Sequence, residues 1–131
     1  MSIPVELPDL ADAIARYRFA YLMSSSGEGQ APRVAAVAAR LQGAELLIDG
    51  IGQRTRANLQ QRPAVGLVWP PQSETEYSLI VDGQARVVDD AVWVTPTRAV
   101  LHRPAPRPEP QAAGACGSDC VELDPNGATA S

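Results

Sequence analysis

The clearest signal for the fold of this chain is the segment Tyr77-Ser-Leu-Ile-Val-Asp-Gly-Gln-Ala-Arg-Val-Val88. It is rich in apolar and β-branched residues, which favour a strand, and Gly83 interrupts it. A glycine inside a strand pattern indicates a bulge or a bend. Bends of this kind allow a sheet to curl and close. The segment therefore predicts one long, bent strand of a β-barrel.

Shorter strand patterns flank this segment and are separated by turn residues. They lie at residues 19–23, 33–39, 45–49, 65–69 and 92–95. No strand alternates with a long helix, so a parallel sheet is excluded. The pattern predicts about six strands in a closed or nearly closed antiparallel barrel.

Two short helices complete the predicted elements. Residues 10–17 carry apolar side chains at helical spacing, and Asp9 stands at the capping position, so we expect an N-terminal strap packed on the domain. Residues 53–61 follow two glycines and end before Pro63, which disfavours helical geometry in the residue before it.

Composition bounds the class of protein. A chain of 131 residues with 45% hydrophobic and 20% charged residues suits one globular domain. Its net charge of -4 argues against a nucleic-acid backbone or an acidic membrane surface as main partner. No apolar run approaches the ~20 residues that span a bilayer, and the N-terminus lacks the pattern of a secretory signal. We therefore expect a cytoplasmic protein.

The composition changes near residue 103. We expect residues 1–102 to form the barrel domain with its N-terminal helix, and residues 103–131 to form a Pro-, Ala- and Gly-rich arm or tail. A disulfide between Cys116 and Cys120 would close only a tiny loop, and the pair lacks the further ligands of a structural zinc site. A thiol switch formed by these two cysteines is an alternative that the sequence leaves open. No metal site is predicted, because His102 is the single histidine.

The stretch Gly52-Gln-Arg-Thr-Arg-Ala-Asn-Leu59 is the most informative for chemistry. Two arginines and a threonine stand in the first turn of a helix that follows glycines. Free backbone N–H groups at a helix start attract anions, and guanidinium groups add charge-assisted hydrogen bonds. A phosphate site is one interpretation, and a solvated helix face is the other.

The strand at 33–39 is rich in alanine, which suits either the close approach of a flat ligand or a compositional bias.

Residues 17–88 resemble the pyridoxamine 5'-phosphate oxidase-like flavin-binding split-barrel family. The resemblance rests on an ordered set of features rather than on one motif. The set comprises a first strand with a glycine-containing turn, Pro32-Arg33-Val34, the hairpin into Leu46-Leu-Ile-Asp49, Arg54-Thr-Arg-Ala-Asn-Leu59, Pro63, the strand 65–69 and the segment 77–85.

The resemblance implies an all-β fold, namely a six-stranded antiparallel Greek-key split barrel with short flanking helices. It also implies a homodimer with two flavin sites between the protomers. In relatives, basic residues at the helix start hold the cofactor phosphate, which assigns that role to Arg54 and Arg56, with Thr55 as a hydroxyl donor. Arg33 matches the basic residue that opens the alanine-rich strand. Backbone groups of Ala35, Ala36 and Val37 would face the flavin ring.

The implied function is an oxidoreductase that uses FMN or a deazaflavin coenzyme on a small organic substrate. The alternative is a non-catalytic protein that binds a flavin, or less favourably haem, in the same fold. No catalytic side chain is assigned, because the cofactor would perform the hydride transfer. Oxidation of pyridoxamine phosphate is not predicted, since the chain lacks the oxidase's C-terminal substrate-binding segment and its Ser-Arg-Lys helix start. Trp69 and Tyr77 are candidates for an interface or a pocket wall, and Trp69 equally for the core.

Overall fold

The described part of the chain is built on one antiparallel sheet of eight strands. The computed structural model describes residues 2–104. The strands are β1 (Ser2–Pro4), β2 (Ala20–Ser24), β3 (Arg33–Val37), β4 (Ala39–Gln42), β5 (Glu45–Ile48), β6 (Ala64–Trp69), β7 (Ser78–Val88) and β8 (Ala91–His102). The helices are α1 (Leu10–Ile14), which follows a 3-10 turn at Leu7–Asp9, and α2 (Gln53–Gln61).

The order of strands explains why the sheet curls. It runs β3-β2-β6-β7-β8-β5-β4, with β1 added to the far end of β8. The two outermost strands, β3 and β4, are consecutive in the chain and only Ala38 separates them. Two residues span at most about 7 Å, so the two ends of the sheet must meet there. The sheet is therefore an incomplete barrel, consistent with a split barrel, in which β5 beside β8 completes a Greek key with β6 and β7.

The bend in β7 is confirmed. The pairing of β7 with β8 shifts register between Asp82 and Gly83, as a β-bulge requires. A Cβ on Gly83 would lie 2.6 Å from Val94 Cγ1 and 2.7 Å from the Thr95 carbonyl oxygen. Only glycine therefore allows the two strands to approach this closely.

The last strand is much longer than the predicted 92–95. It continues through Pro96 to His102. Proline cannot donate a ladder hydrogen bond and normally ends a strand. Here Pro96 lies opposite Gly83, at the register shift where the regular ladder is already interrupted. The bulge thus lets one strand contain a proline.

The strand count of six was too low, for two reasons. The predicted strand 33–39 breaks at Ala38. Strand β3 pairs with β2 at one end of the sheet, whereas β4 pairs with β5 at the other end. The second addition is β1, whose register places Ser2 opposite His102. Strand β1 has only three residues, and they contain no local signal for a partner so distant in sequence.

The N-terminal helix also differs from its prediction. It ends at Ile14 rather than at residue 17, and the Asp9 side chain makes no capping hydrogen bond. Asp9 is instead the last residue of the 3-10 turn that leads into α1. Leu10 and Ala13 are buried against the sheet, so the segment does pack on the domain as a strap. Helix α2 has the predicted bounds.

The core lies inside the curl of the sheet. Inward-facing residues alternate with outward ones along β2, β6 and β7, as in any half-buried strand. Aliphatic side chains dominate it, and Trp69, 2% exposed, is its largest member. Trp69 is therefore a core residue and not the wall of a pocket or interface.

Some predictions concern residues that lie outside the described part of the chain. They are the C-terminal arm, apart from its first two residues, and Cys116 and Cys120. The division of the chain at residue 102 stays a prediction. Among residues 2–104, no helix has the length and apolar character needed to span a membrane.

Candidate functional site

The start of α2 presents backbone donors without a cap. Gly52 holds the N-cap position and offers no side-chain oxygen, and the first turn contains no acidic residue. The first helical hydrogen bond runs from Arg56 N to Gly52 O at 3.0 Å, so the N–H groups before it have no acceptor within the helix. A helix start of this kind favours an anion.

The three predicted residues of this turn have different environments. Arg54 is exposed, and Thr55 and Arg56 are half-buried. The Arg54 side chain has no hydrogen bond or ion pair to another residue of the described range 2–104. The helix therefore carries one guanidinium group that is open to a ligand.

Arg56 is already engaged within the protein. Its Nη1 donates to the Ile51 carbonyl, and its Nη2 lies 3.9 Å from Asp90 Oδ1. These contacts connect α2 to the turn before it and to the tight turn between β7 and β8. No local sequence pattern signals the pairing of Asp90 with Arg56, which lies 34 positions earlier. Its carboxylate is 97% exposed, so the ion pair itself is weak.

The second predicted segment, Arg33–Val37, is an edge strand. Strand β3 is the first in the sheet order and, among residues 2–104, pairs only with β2. Alternate backbone N–H and C=O groups along it therefore point away from the sheet without a strand to pair with. The Arg33 and Ala36 side chains are exposed, Ala35 is half-buried and Val37 is buried. The split of the barrel thus offers a backbone edge with small side chains.

The structure places these two segments on separate elements. Within the described residues, no hydrogen bond or ion pair joins Arg33 to the arginines of α2. Helix α2 packs against β7 and β2, and β2 is the strand that carries β3. Both segments therefore adjoin β2.

The outside of the same sheet carries an exposed apolar patch, here called the outer apolar face. It extends across β3, β2, β6 and β7, because Ala36 pairs with Tyr21, Tyr21 with Val68, and Val68 with Ile80. Val34 in β3 is 61% exposed and Tyr21 is 40% exposed, with the Phe19 ring packed edge-on against Tyr21. Contiguous patches of this kind mark interaction surfaces more often than isolated exposed residues do.

A polar cluster occupies the outside of the opposite end of the sheet. The Glu45 carboxylate accepts hydrogen bonds from Arg86 Nη2 at 2.8 Å and Nε at 3.2 Å, and from Thr95 Oγ1 at 3.1 Å. The hydrogen bond from Arg86 is the main reason why the pKa of Glu45 is lowered. Arg86 also lies over the Trp93 ring, 5.4 Å from its centroid. These contacts join β5, β7 and β8.

Comparison with known proteins gives the family. No protein-family model matches the chain. It is 40% identical over 133 residues to uncharacterized proteins of Mycobacterium bovis (Mb0449c) and Mycobacterium tuberculosis (MT0457), an alignment that covers 89% of this chain and 93% of each relative. The chain belongs to the family of these mycobacterial proteins.

Similar solved structures define the fold. A putative pyridoxamine 5'-phosphate oxidase from Listeria innocua has a TM-score of 0.60 at 16% identity, covering 73% of this chain and 98% of its own. The FAD binding protein from Mycobacterium smegmatis has a TM-score of 0.56 at 17% identity, covering 79% and 100%. An F420 reductase has a TM-score of 0.53 at 16% identity, covering 62% and 87%. The chain has the fold of the pyridoxamine 5'-phosphate oxidase-like split barrels, as the sequence predicted.

Proposed function

We propose that the protein binds a flavin or deazaflavin cofactor and is an oxidoreductase that acts on a small organic substrate. The observation that carries the proposal is the uncapped start of α2, where backbone donors and the Arg54 guanidinium are open to an anion. Both cofactors carry a phosphate that such a site would hold. The names of similar structures, an FAD binding protein and an F420 reductase, support the same class of ligand.

In this proposal the phosphate contacts are divided unequally. Arg54 supplies the main charge-assisted hydrogen bonds, because its side chain is exposed and has no partner within residues 2–104. Thr55 adds its hydroxyl. Arg56 mainly positions the turn through the Ile51 carbonyl, and only the remainder of its guanidinium group is available to the phosphate.

The open edge of β3 would receive the flavin ring. Backbone groups at Ala35, Ala36 and Val37 offer donors and acceptors to the polar edge of a planar ring, and the alanine side chains permit its approach. Arg33, exposed at the start of the strand, would face the anionic part of the cofactor. The cofactor supplies hydride transfer when bound, and these residues orient it and exclude water.

A homodimer would complete the site. The outer apolar face lies on the same strands as the open edge, so a second copy packed there would place its own residues beside the cofactor. A two-fold pair is the commonest arrangement of identical chains. The cofactor would then lie between the protomers.

The first experiment is a titration of the purified full-length chain with FMN, FAD and a deazaflavin coenzyme, and with haem as a control. We expect at least one flavin or deazaflavin to bind with low-micromolar or tighter affinity. The reduced cofactor should then be oxidised by an added acceptor. Absence of binding of all three would refute the proposal.

The alternative, a non-catalytic binder, has one observation in its favour. Neither the start of α2 nor β3 contains an acid, a histidine or a cysteine that could act in catalysis. Binding of a flavin without turnover of any acceptor would favour this alternative. For haem, His102 is a poor candidate ligand, because its Nδ1 lies 3.0 Å from Ser2 Oγ at the end of β8 opposite to Asp90 and α2.

A further inference from the structure

A second cleft lies away from α2 and β3. It has a volume of about 260 Å³ and is lined by the end of α1 and the residues after it, by the loop at residues 70–77, and by Leu101 of β8. None of its lining residues belongs to α2 or β3. The volume is below the roughly 300–1,000 Å³ of sites for drug-sized ligands, so any ligand must be small.

The walls of this cleft are held in place by polar contacts. Tyr17 Oη donates to the Tyr77 carbonyl at 2.8 Å, and Arg103 Nη1 donates to the Thr75 carbonyl at 3.0 Å. The Arg103 guanidinium also lies 4.5 Å from the centroid of the Tyr77 ring. The loop is thus fixed both by the N-terminal segment and by the residue after β8. A wall fixed in advance loses little conformational entropy when a ligand binds.

Two opposite charges line the cleft and do not pair with each other. Arg16 and Glu76 both line it, together with Tyr17. Burial raises the pKa of Tyr17, whereas Arg16 lowers it and Glu76 raises it. Among the residues that the structure describes, no ion pair includes either side chain. The Glu76 carboxylate is instead oriented by a hydrogen bond from Ser73 Oγ at 3.1 Å.

We propose that this cleft binds a small zwitterion with an apolar body, namely an α-amino acid with an apolar side chain. Its carboxylate would meet Arg16, its ammonium group would meet Glu76, and its side chain would pack on Pro71 and Leu101. A simple anion would be repelled by Glu76, and a simple cation by Arg16. Only a ligand with both charges satisfies both walls. This proposal is independent of the flavin site.

The test is a calorimetric or NMR titration of the full-length chain with L-leucine and L-phenylalanine. Two analogues of leucine isolate the charges: isoamylamine lacks the carboxylate, and 4-methylpentanoate lacks the ammonium group. We expect at least one amino acid to bind with a dissociation constant of about 1 mM or lower, and each analogue to bind about tenfold more weakly than leucine. No binding of either amino acid at about 10 mM, or binding of either analogue as tightly as leucine, would overturn the proposal.

Variants locate the site. Arg16→Gln removes the proposed partner of the carboxylate, so it should abolish the preference for leucine over isoamylamine. Glu76→Gln removes the proposed partner of the ammonium group, so it should abolish the preference for leucine over 4-methylpentanoate. Both side chains are exposed, so the variants should fold. The matched controls Arg40→Gln and Glu74→Gln alter residues that do not line the cleft, and they should leave leucine affinity unchanged. Leucine affinity that is insensitive to both test substitutions would place the binding elsewhere.

Discussion

Arg54 and Arg56 have the same charge and lie two positions apart, but their environments differ and predict different roles. Arg54→Ala should weaken FMN binding about ten- to a hundredfold while changing the free energy of unfolding by less than about 0.5 kcal/mol. Arg56→Ala should also reduce stability, by about 1–2 kcal/mol, because the Ile51 carbonyl loses its donor. Denaturant titration and FMN binding, measured on both variants, separate the two effects.

Removing both arginines tests phosphate recognition itself. The double variant should lose about 10²–10⁴ in FMN affinity, since two charge-assisted contacts disappear. Riboflavin, which lacks the phosphate, serves as the control ligand and should bind nearly as well as before. Equal losses for both ligands would show that the arginines shape the pocket rather than bind the phosphate.

Glu45 provides a prediction about pH. Its pKa is lowered in the folded state, chiefly by the hydrogen bond from Arg86. A carboxylate of this kind stabilises the fold above its unfolded pKa, and that stabilisation is lost as the pH falls through the lower, folded pKa. Glu45→Gln should therefore reduce the difference in denaturation midpoint between neutral and acidic pH. Arg86→Gln should do the same, and an unchanged pH dependence in both variants would contradict the role of this pair.

At the scale of elements, the bulge between β7 and β8 is the feature on which the barrel depends. Gly83→Ala should cost about 1–3 kcal/mol or more, because the new methyl group would overlap Val94 and the Thr95 carbonyl. Gly66 is the matched control, since it also lies within a strand. The nearest atom to a Cβ there is Met23 Cε at 3.6 Å, an ordinary contact. Urea unfolding should show a large loss for Gly83→Ala and little change for Gly66→Ala.

At the scale of the whole molecule, the proposed dimer has a direct test. Sedimentation of the unaltered chain should give about twice the 13.9 kDa of one protomer. Val34→Glu should raise the dimer dissociation constant about a hundredfold or more, because the two-fold axis buries the new charge twice. Ile3→Glu is the control, since Ile3 is 44% exposed on β1, outside the outer apolar face. A mass near that of one protomer for the unaltered chain would rule out the dimer.

Local sequence patterns were sufficient to predict the class of fold and most of its elements. Strand patterns, Gly83 and Pro63 are local signals, because each depends on the backbone preferences of a few neighbouring residues. They located α2, the bend of β7 and the phosphate-binding candidates at the start of α2. They also led to the split-barrel resemblance that the fold confirms.

Features that depend on partners distant in the chain could not be predicted from these local patterns. The break at Ala38 follows from β3 and β4 pairing at opposite ends of the sheet, and Pro96 is tolerated because it lies at the register shift opposite Gly83. The ion pair of Arg56 with Asp90 likewise arises when α2 packs beside the β7–β8 turn. Local propensity contains no information about such contacts, because their geometry is fixed by strand register and packing across the whole sheet.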